Sequence, residues 1–308
     1  MKLAKWQGLG NDYLIVEESA LPEPLTSEII GLLCDRHLGV GADGILLHGR
    51  PTGAVPGVVA RMRVFNPDGG EPEMCGNGIR IFARYLAGLG AVGESEFTVE
   101  TLAGVIRPRL LPDGSVRVDM GRGRFRSENI APAPGADIPT DGDVVEARLI
   151  AGGHEHRFTF VDVGNPHCVI QVEDPAAYDV AGVGAAVERH RAFPNRVNVE
   201  FVHAEPDGSV RMRVWERGVG ETQACGTGAT AVGAACVRLG LAESPVLVHL
   251  LGGDLVIEVE RDGGDGWPVF MTGPAEEVFS CELSYELLRR LGWPAPAGDP
   301  SKDAGDYN

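Results

Sequence analysis

Two cysteines stand before a Gly-x-Gly in this 308-residue chain, Cys75 in "RMRVFNPDGGEPEMCGNGIRIFARY" (61–85) and Cys225 in "RMRVWERGVGETQACGTGATAVGAA" (211–235). They lie 150 positions apart, and Arg61–Val64, Gly70, Glu71, Gly76 and Gly78 recur at that same offset. A cysteine at the start of a helix sits in the positive end of the peptide dipole, which favours the thiolate and draws its pKa down from roughly 8.5 toward neutrality. The glycines that follow remove side chains, so a carboxylate approaches the helix-end amides closely. Cys75-Gly76-Asn77-Gly78 and Cys225-Gly226-Thr227-Gly228 are therefore two anion cradles, each with a titratable sulfur at its rim. If the cradles converge on one carboxylate, their sulfurs flank the adjacent carbon. One thiolate then removes a proton from one face while the other, as thiol, returns a proton to the opposite face. That inversion calls for neither cofactor nor metal, and no close ligand pair accompanies either cysteine. One C-G-x-G alone is more simply a buried structural thiol. Two at equivalent positions of a repeat are not explained that way.

Positioning two such helices requires two similar halves. "GNDYLIV" (10–16) aligns with "GNPHCVI" (164–170) at an offset of 154, and "RHLGVGADGILLH" (36–48) lies on "RHRAFPNRVNVEFVH" with a further adjustment. "RMRVF" and "RMRVW" alternate charged and apolar residues as half-buried strands do. After Cys75, residues Ile79, Phe82, Ala83 and Leu86 fall on one helical face, and Gly90 and Gly240 stand where a helix-terminating glycine is expected. The Ala/Val/Gly-rich helix after Cys225 predicts a setting surrounded by sheet. Further strands are expected in 96–111, 115–121, 157–164, 245–260 and 269–283. Residues 131–143, rich in Pro, Gly and Asp, predict a loop excursion, and 294–308 a disordered tail.

Composition narrows the partners. Against 27 basic residues stand 44 acidic ones, a formal charge of −17, which repels phosphate backbones and anionic lipid. The reading is a cytoplasmic protein with a small-molecule partner, no nucleic acid and no membrane: the N-terminus lacks a signal-peptide core, and the longest weakly polar run falls short of the roughly 20 residues that span a bilayer. The remaining cysteines, Cys34, Cys168, Cys236 and Cys281, form no C-x-x-C pair and are expected to be free thiols filling the core.

Together, "GLGNDYLIV", "FNPDGGEPEMCGNGIR", "GNPHCVI", "RVNVEF" and "ERGVGETQACGTGA" resemble the diaminopimelate epimerase family, cofactor-independent enzymes of lysine and peptidoglycan-precursor synthesis, over about residues 7–282. The resemblance implies an α/β (α+β) fold of two pseudo-symmetric domains, each a mixed, largely antiparallel sheet curled around a central helix, and commonly a homodimer. It divides the chain into an N-terminal half-domain, 1–122, completed by about 278–293, and a C-terminal half-domain, 123–277. Cys75 and Cys225 become the acid/base pair, and Gly76, Asn77, Gly226 and Thr227 the cradle for the α-carboxylate. Asn11, Asn66, Asn165, Asn198, Glu216 and Arg217 become readers of the distal end, with Arg217 pairing its carboxylate, while His167 and Glu216 tune the thiols. The reaction implied is conversion of LL-2,6-diaminopimelate to the meso form.

Other readings of the residues remain. Asn11 and Asn165 are ordinary turn formers beside Gly and Pro, Glu216 and Arg217 a solvated pair, and His167 a satisfied loop histidine. A proline or hydroxyproline racemase on the same fold also accounts for paired cysteines, though a small ring offers Arg217 nothing to pair. A binding module needs the amides but not the sulfurs. One departure from the resemblance stands out. Many family members carry Gln where this chain has Gly44, so one polar contact is missing or supplied otherwise.

Overall fold

The computed structural model describes residues 1–294, so all of the expected tail after Pro294 lies outside the described residues. A hairpin opens the chain, β1 (Lys2–Gly8) and β2 (Asn11–Glu17), then α1 (Ser27–Cys34), β3 (Gly44–Gly49), β4 (Val58–Phe65) and α2 (Gly76–Gly88). Short strands β5 (Thr98–Thr101), β6 (Gly104–Ile106) and β7 (Pro108–Leu110) lead to β8 (Val116–Gly123). Next come β9 (Ala136–Asp137), β10 (Ala147–Ala151), β11 (His154–Asp162), β12 (Pro166–Gln171) and α3 (Val180–Glu188). Strands β13 (Asn198–Ala204), β14 (Val210–Glu216) and β15 (Gly220–Thr222) precede α4 (Gly226–Leu239). The described chain ends with β16 (Val246–Leu250), β17 (Gly253–Val259), β18 (Trp267–Gly273), β19 (Glu276–Glu282) and α5 (Tyr285–Arg290).

These elements make a mixed α+β fold with two sheets. The first runs β19-β1-β2-β3-β4-β5-β6, and the second runs β7-β8-β18-β17-β16-β14-β13-β12-β11-β10-β9, with β15 beside β14. The repeat in the sequence is a repeat of topology. In the first sheet β2 and β3 pair parallel, β3 and β4 antiparallel, and β4 and β5 parallel. In the second, β12 and β13 pair parallel, β13 and β14 antiparallel, and β14 and β16 parallel. Pairing crosses the chain at two places: β7 and β8 join the second sheet, and β19 returns to the edge of the first against β1.

The alternating "RMRV" strands bury Met62, Val64, Met212 and Val214 and leave their arginines half-buried. Each copy also repeats one ion pair. The Arg63 guanidinium grips both oxygens of Glu71 at 2.7 Å, and Arg213 grips Glu221 at 2.6 and 2.9 Å. Two parallel N–H···O bonds fix the approach to each helix geometrically.

Helix α2 packs on β1, β2, β4, β7 and β8, and α4 on β8, β11–β13 and β16–β18. Ile79, Phe82, Ala83 and Leu86 are buried, and on α4 the run Gly228–Val237 is buried on every side, as its composition predicts. One apolar core runs through both helices. Gly90 and Gly240 both adopt φ 71° just past the helices, the left-handed geometry that ends them. Among the described residues no helix is long and apolar enough to cross a membrane.

Candidate functional site

Both cysteines cap a helix. Each is extended, Cys75 at φ −135° and Cys225 at φ −126°, and each thiol accepts from the third amide of its helix, Gly78 N–H at 3.3 Å and Gly228 N–H at 3.4 Å. Intrahelical bonding begins only at Ile79 N–H to Cys75 O and Ala229 N–H to Cys225 O, both 2.9 Å. The amides of Gly76, Asn77, Gly226 and Thr227 precede those bonds and carry the positive end of each dipole.

The two helix ends meet head to head. A Cβ placed on Gly76 would lie 3.3 Å from Gly226 Cα, and one on Gly226 would lie 3.3 Å from Gly76 Cα and 3.1 Å from Met271 Sδ. The first glycine of each motif therefore serves the approach of one helix to the other. The last one admits a strand: a Cβ on Gly78 would meet Leu46 Cδ2 at 3.0 Å, and one on Gly228 would meet Glu200 Oε1 at 2.9 Å. Two like dipole ends in contact repel, and a bound anion relieves that repulsion.

A polarised chain of side chains supports the first helix end. The Arg80 guanidinium donates to Asn77 Oδ1 at 2.9 Å, Asn77 Nδ2 donates to Asn11 Oδ1 at 3.1 Å and to Ala224 O at 3.2 Å, and Asn11 Nδ2 donates to Asp43 Oδ2 at 3.0 Å. A guanidinium at one end and a carboxylate at the other allow only one orientation of both amides. Asp43 is itself held by Arg36 at 2.7 Å. The second helix end has a counterpart. Asn165 Nδ2 donates to Thr227 Oγ1 at 3.3 Å, Thr227 Oγ1 lies 3.5 Å from Cys225 Sγ, and Asn165 Oδ1 meets His167 Nε2 at 3.0 Å. His167 Nδ1 lies 2.6 Å from Glu200 Oε1, both side chains fully buried.

The structure thus joins Asn11 and Asn77 to the first cradle, and Asn165, His167 and Thr227 to the second. Glu216 accepts from Thr222 Oγ1 at 2.5 Å, and its carboxylate is near enough to Cys225 to act on the thiol's ionisation. Asn198 has its amide committed within the protein, donating to Pro166 O at 3.1 Å and accepting from Arg217 N–H at 2.9 Å. Arg217 is exposed, bonded to Asn195 O at 3.1 Å, and forms no ion pair among the described residues. Asn66 is exposed in the turn after β4, where Gly69 N–H donates to its carbonyl. Arg80, Glu200 and Tyr13, whose hydroxyl lies 3.2 Å from Cys75 Sγ, join the site without having been singled out in the sequence. A charged residue inside an apolar strand ("NVEFV") was the one available signal for Glu200. A surface cavity of about 380 Å³ beside Arg189, His190 and Arg191 shares none of its lining with this site.

Thiol ionisation departs from the sequence expectation. Burial pushes the Cys75 thiol up, opposed by the Tyr13 hydroxyl and the Gly78 amide. Burial pushes Cys225 well up, and the nearby Glu216 and Glu200 carboxylates add to it. The dipole is present, but desolvation of the thiolate outweighs it. Burial also raises Glu216. All six cysteines are free, and of the four outside the motifs Cys34, Cys168 and Cys236 are core residues, while Cys281 is only half-buried on edge strand β19.

The family model for diaminopimelate epimerase matches residues 3–125 and 159–278. The diaminopimelate epimerase of Moorella thermoacetica is 46% identical over 295 residues, covering 93% of this chain and all of the relative. That of Desulforudis audaxviator is 48% identical over 286 residues, covering 91% of this chain and 98% of the relative. Among solved structures, a hydroxyproline epimerase from Agrobacterium vitis, with bound trans-4-hydroxy-L-proline, has the same fold at 16% identity, with a TM-score of 0.65 over 91% of each chain. Sequence similarity that takes in both capped helices, at nearly half identity over nearly the whole chain, makes this protein a member of the diaminopimelate epimerase family.

Proposed function

We propose that this chain interconverts LL- and meso-2,6-diaminopimelate by proton transfer between two thiols, without a cofactor. The observation that carries the reading is the head-to-head contact of two cysteine-capped helix ends at Gly76 and Gly226. The substrate α-carboxylate takes the amides of Gly76-Asn77 and Gly226-Thr227. One thiolate removes the α-proton, the electron pair of the broken C–H bond spreads into the carboxylate as an enolate-like charge, and the amides stabilise that charge. The opposite thiol gives its proton to the other face, and the two sulfurs exchange protonation states. Thiols raised by burial are strong bases once ionised, which suits a weakly acidic α-proton. Arg217, exposed and without an ion-pair partner among the described residues, is available to the distal carboxylate. Asn11, Asn66, Asn165 and Glu216 complete the recognition of the distal end. The same reading takes the enzyme as a cytoplasmic homodimer whose halves divide near residue 122.

Incubation in heavy water tests this. LL-diaminopimelate should gain deuterium at an α-carbon and proline should not, and Cys75→Ala and Cys225→Ala should each lose the reaction. Exchange with proline alone would move the assignment to the racemases that share the fold. Full activity in either cysteine variant would remove the two-thiol mechanism.

A further inference from the structure

Tyr13 is buried on β2, and its hydroxyl lies 3.2 Å from Cys75 Sγ. Across the parallel β2–β3 pairing its partner is Gly44. A Cβ on Gly44 would stand 2.7 Å from Tyr13 Cε1 and 2.5 Å from Phe65 O, so the aromatic ring and a side chain at position 44 exclude one another. The repeat makes this placement informative. At the offset of 154, Tyr13 corresponds to His167, and His167 pairs in the same parallel register with Asn198. The second half thus carries an imidazole opposite an amide where the first carries a phenol opposite a glycine.

We propose that Tyr13 is a further catalytic residue of this site, its hydroxyl donating a hydrogen bond to the Cys75 thiolate and accepting one from the thiol, and that Gly44 is what gives its ring room to do so. The inference rests on Cys75 being one of the two acid/base groups. A hydroxyl rotates to suit either state of the sulfur, so the contact persists through the proton transfer without itself gaining or losing a proton. Other groups face this pair from several elements. Gly78 N–H and Arg80 act from α2, Glu216 from β14, and Asp43 from the segment before β3. Two of these are carboxylates, which oppose a second negative charge, so a neutral donor is the form of help that fits.

The test is Tyr13→Phe, which keeps the ring and removes only the hydroxyl. Alkylation of each cysteine by iodoacetamide across pH, followed by peptide mass spectrometry, reads thiolate formation without using substrate. The Cys75 midpoint should rise by about one pH unit, roughly tenfold less thiolate at neutral pH, while that of Cys225 stays in place. Exchange of LL-diaminopimelate should slow about tenfold with KM unchanged. A 3-fluorotyrosine at position 13, a stronger donor, should move the Cys75 midpoint in the opposite direction. A Cys75 midpoint unchanged in both variants overturns the proposal. Because alkylation needs no substrate, an unsubstituted protein that fails to exchange diaminopimelate would defeat the epimerase reading separately.

Discussion

Arg80 offers a sharp separation of stability from activity. Its side chain is fully buried one turn into α2, and it forms no ion pair among the described residues. It donates to Asn77 Oδ1 at 2.9 Å, Gly76 O at 3.1 Å, Pro274 O at 3.3 Å and Met271 Sδ at 3.4 Å. Burial pushes the guanidinium down to about 10, and at 1.36 kcal/mol per unit that depression costs folding on the order of 3 kcal/mol at neutral pH. The sign follows from linkage. A cation whose folded pKa is depressed lowers stability at every pH below that value, and the loss is recovered only as pH rises above about 10 toward the ordinary guanidinium range.

Arg80→Met removes that cost and leaves two buried acceptors, Asn77 Oδ1 and Pro274 O, without this donor, at about 1–3 kcal/mol each. Gly76 O keeps its place in the helical ladder. The two effects nearly cancel, so urea unfolding should show a net loss of only about 1 kcal/mol. Activity should not be spared. Without the guanidinium, the Asn77 side chain loses the contact that fixes it toward Asn11 and Ala224, and a displacement of the first cradle by about 1 Å slows turnover ~10²-fold. Arg80→Lys should fall between, because one ammonium cannot fork to both Asn77 and Gly76. The measurements are urea midpoints and α-deuterium exchange per folded molecule. A stability loss above about 4 kcal/mol with exchange intact would refute the reasoning and leave Arg80 a purely structural residue.

Two further substitutions probe the frame around the site. Glu200→Leu removes one partner of the buried His167–Glu200 pair, so urea unfolding should show a loss of about 3 kcal/mol or more, and a smaller loss would mean that the pair contributes little to the fold. Gly233→Ala would put a Cβ 2.4 Å from Ile257 Cγ2, and the overpacking, about 1–3 kcal/mol, should exceed the gain of up to about 1 kcal/mol in helix propensity. Gly88→Ala, whose Cβ meets open space at the end of α2, should raise the melting temperature instead; equal shifts in both variants would count against close packing of α4 on β17.

The sequence carried the cysteine caps, the duplication and the buried face of the first helix because each depends on local spacing. It did not carry α1 or α3: "SEIIGLLC" and "VAGVGAAVE" are short apolar runs whose period does not separate helix from strand. The partners at the site were hidden for a different reason. Arg80 follows Ile79 on an amphipathic pattern and reads as a solvent-facing charge, but α2 is covered there by the other half, through Pro274 and Met271. Glu200 lies in a strand buried on both faces, so alternation said nothing of its partner. Asn198 is a substrate contact only by the family resemblance; that its side chain also joins Pro166 O to the Arg217 N–H is a tertiary pairing no spacing encodes.

The repeat is faithful in backbone and unfaithful in charge, and that difference bears on the chemistry. Gly78 makes room for Leu46 and Gly228 for Glu200, two strand positions that occupy the same register relative to β2 and β12. The strand position beneath Cys75 is the apolar Leu46, with a neutral hydroxyl on the sulfur; beneath Cys225 it is Glu200, while Glu216 acts on both thiols. Two-base inversion works only if one sulfur is ionised while the other keeps its proton. Symmetric surroundings would give neither sulfur a preference for either state. Glu216 and Glu200 both add to the rise of the Cys225 thiol, whereas at Cys75 Glu216 is opposed by the Tyr13 hydroxyl, so the two sulfurs have unlike surroundings. Duplication supplied two equivalent caps, and divergence at positions 13, 46, 167 and 200 made their surroundings unequal.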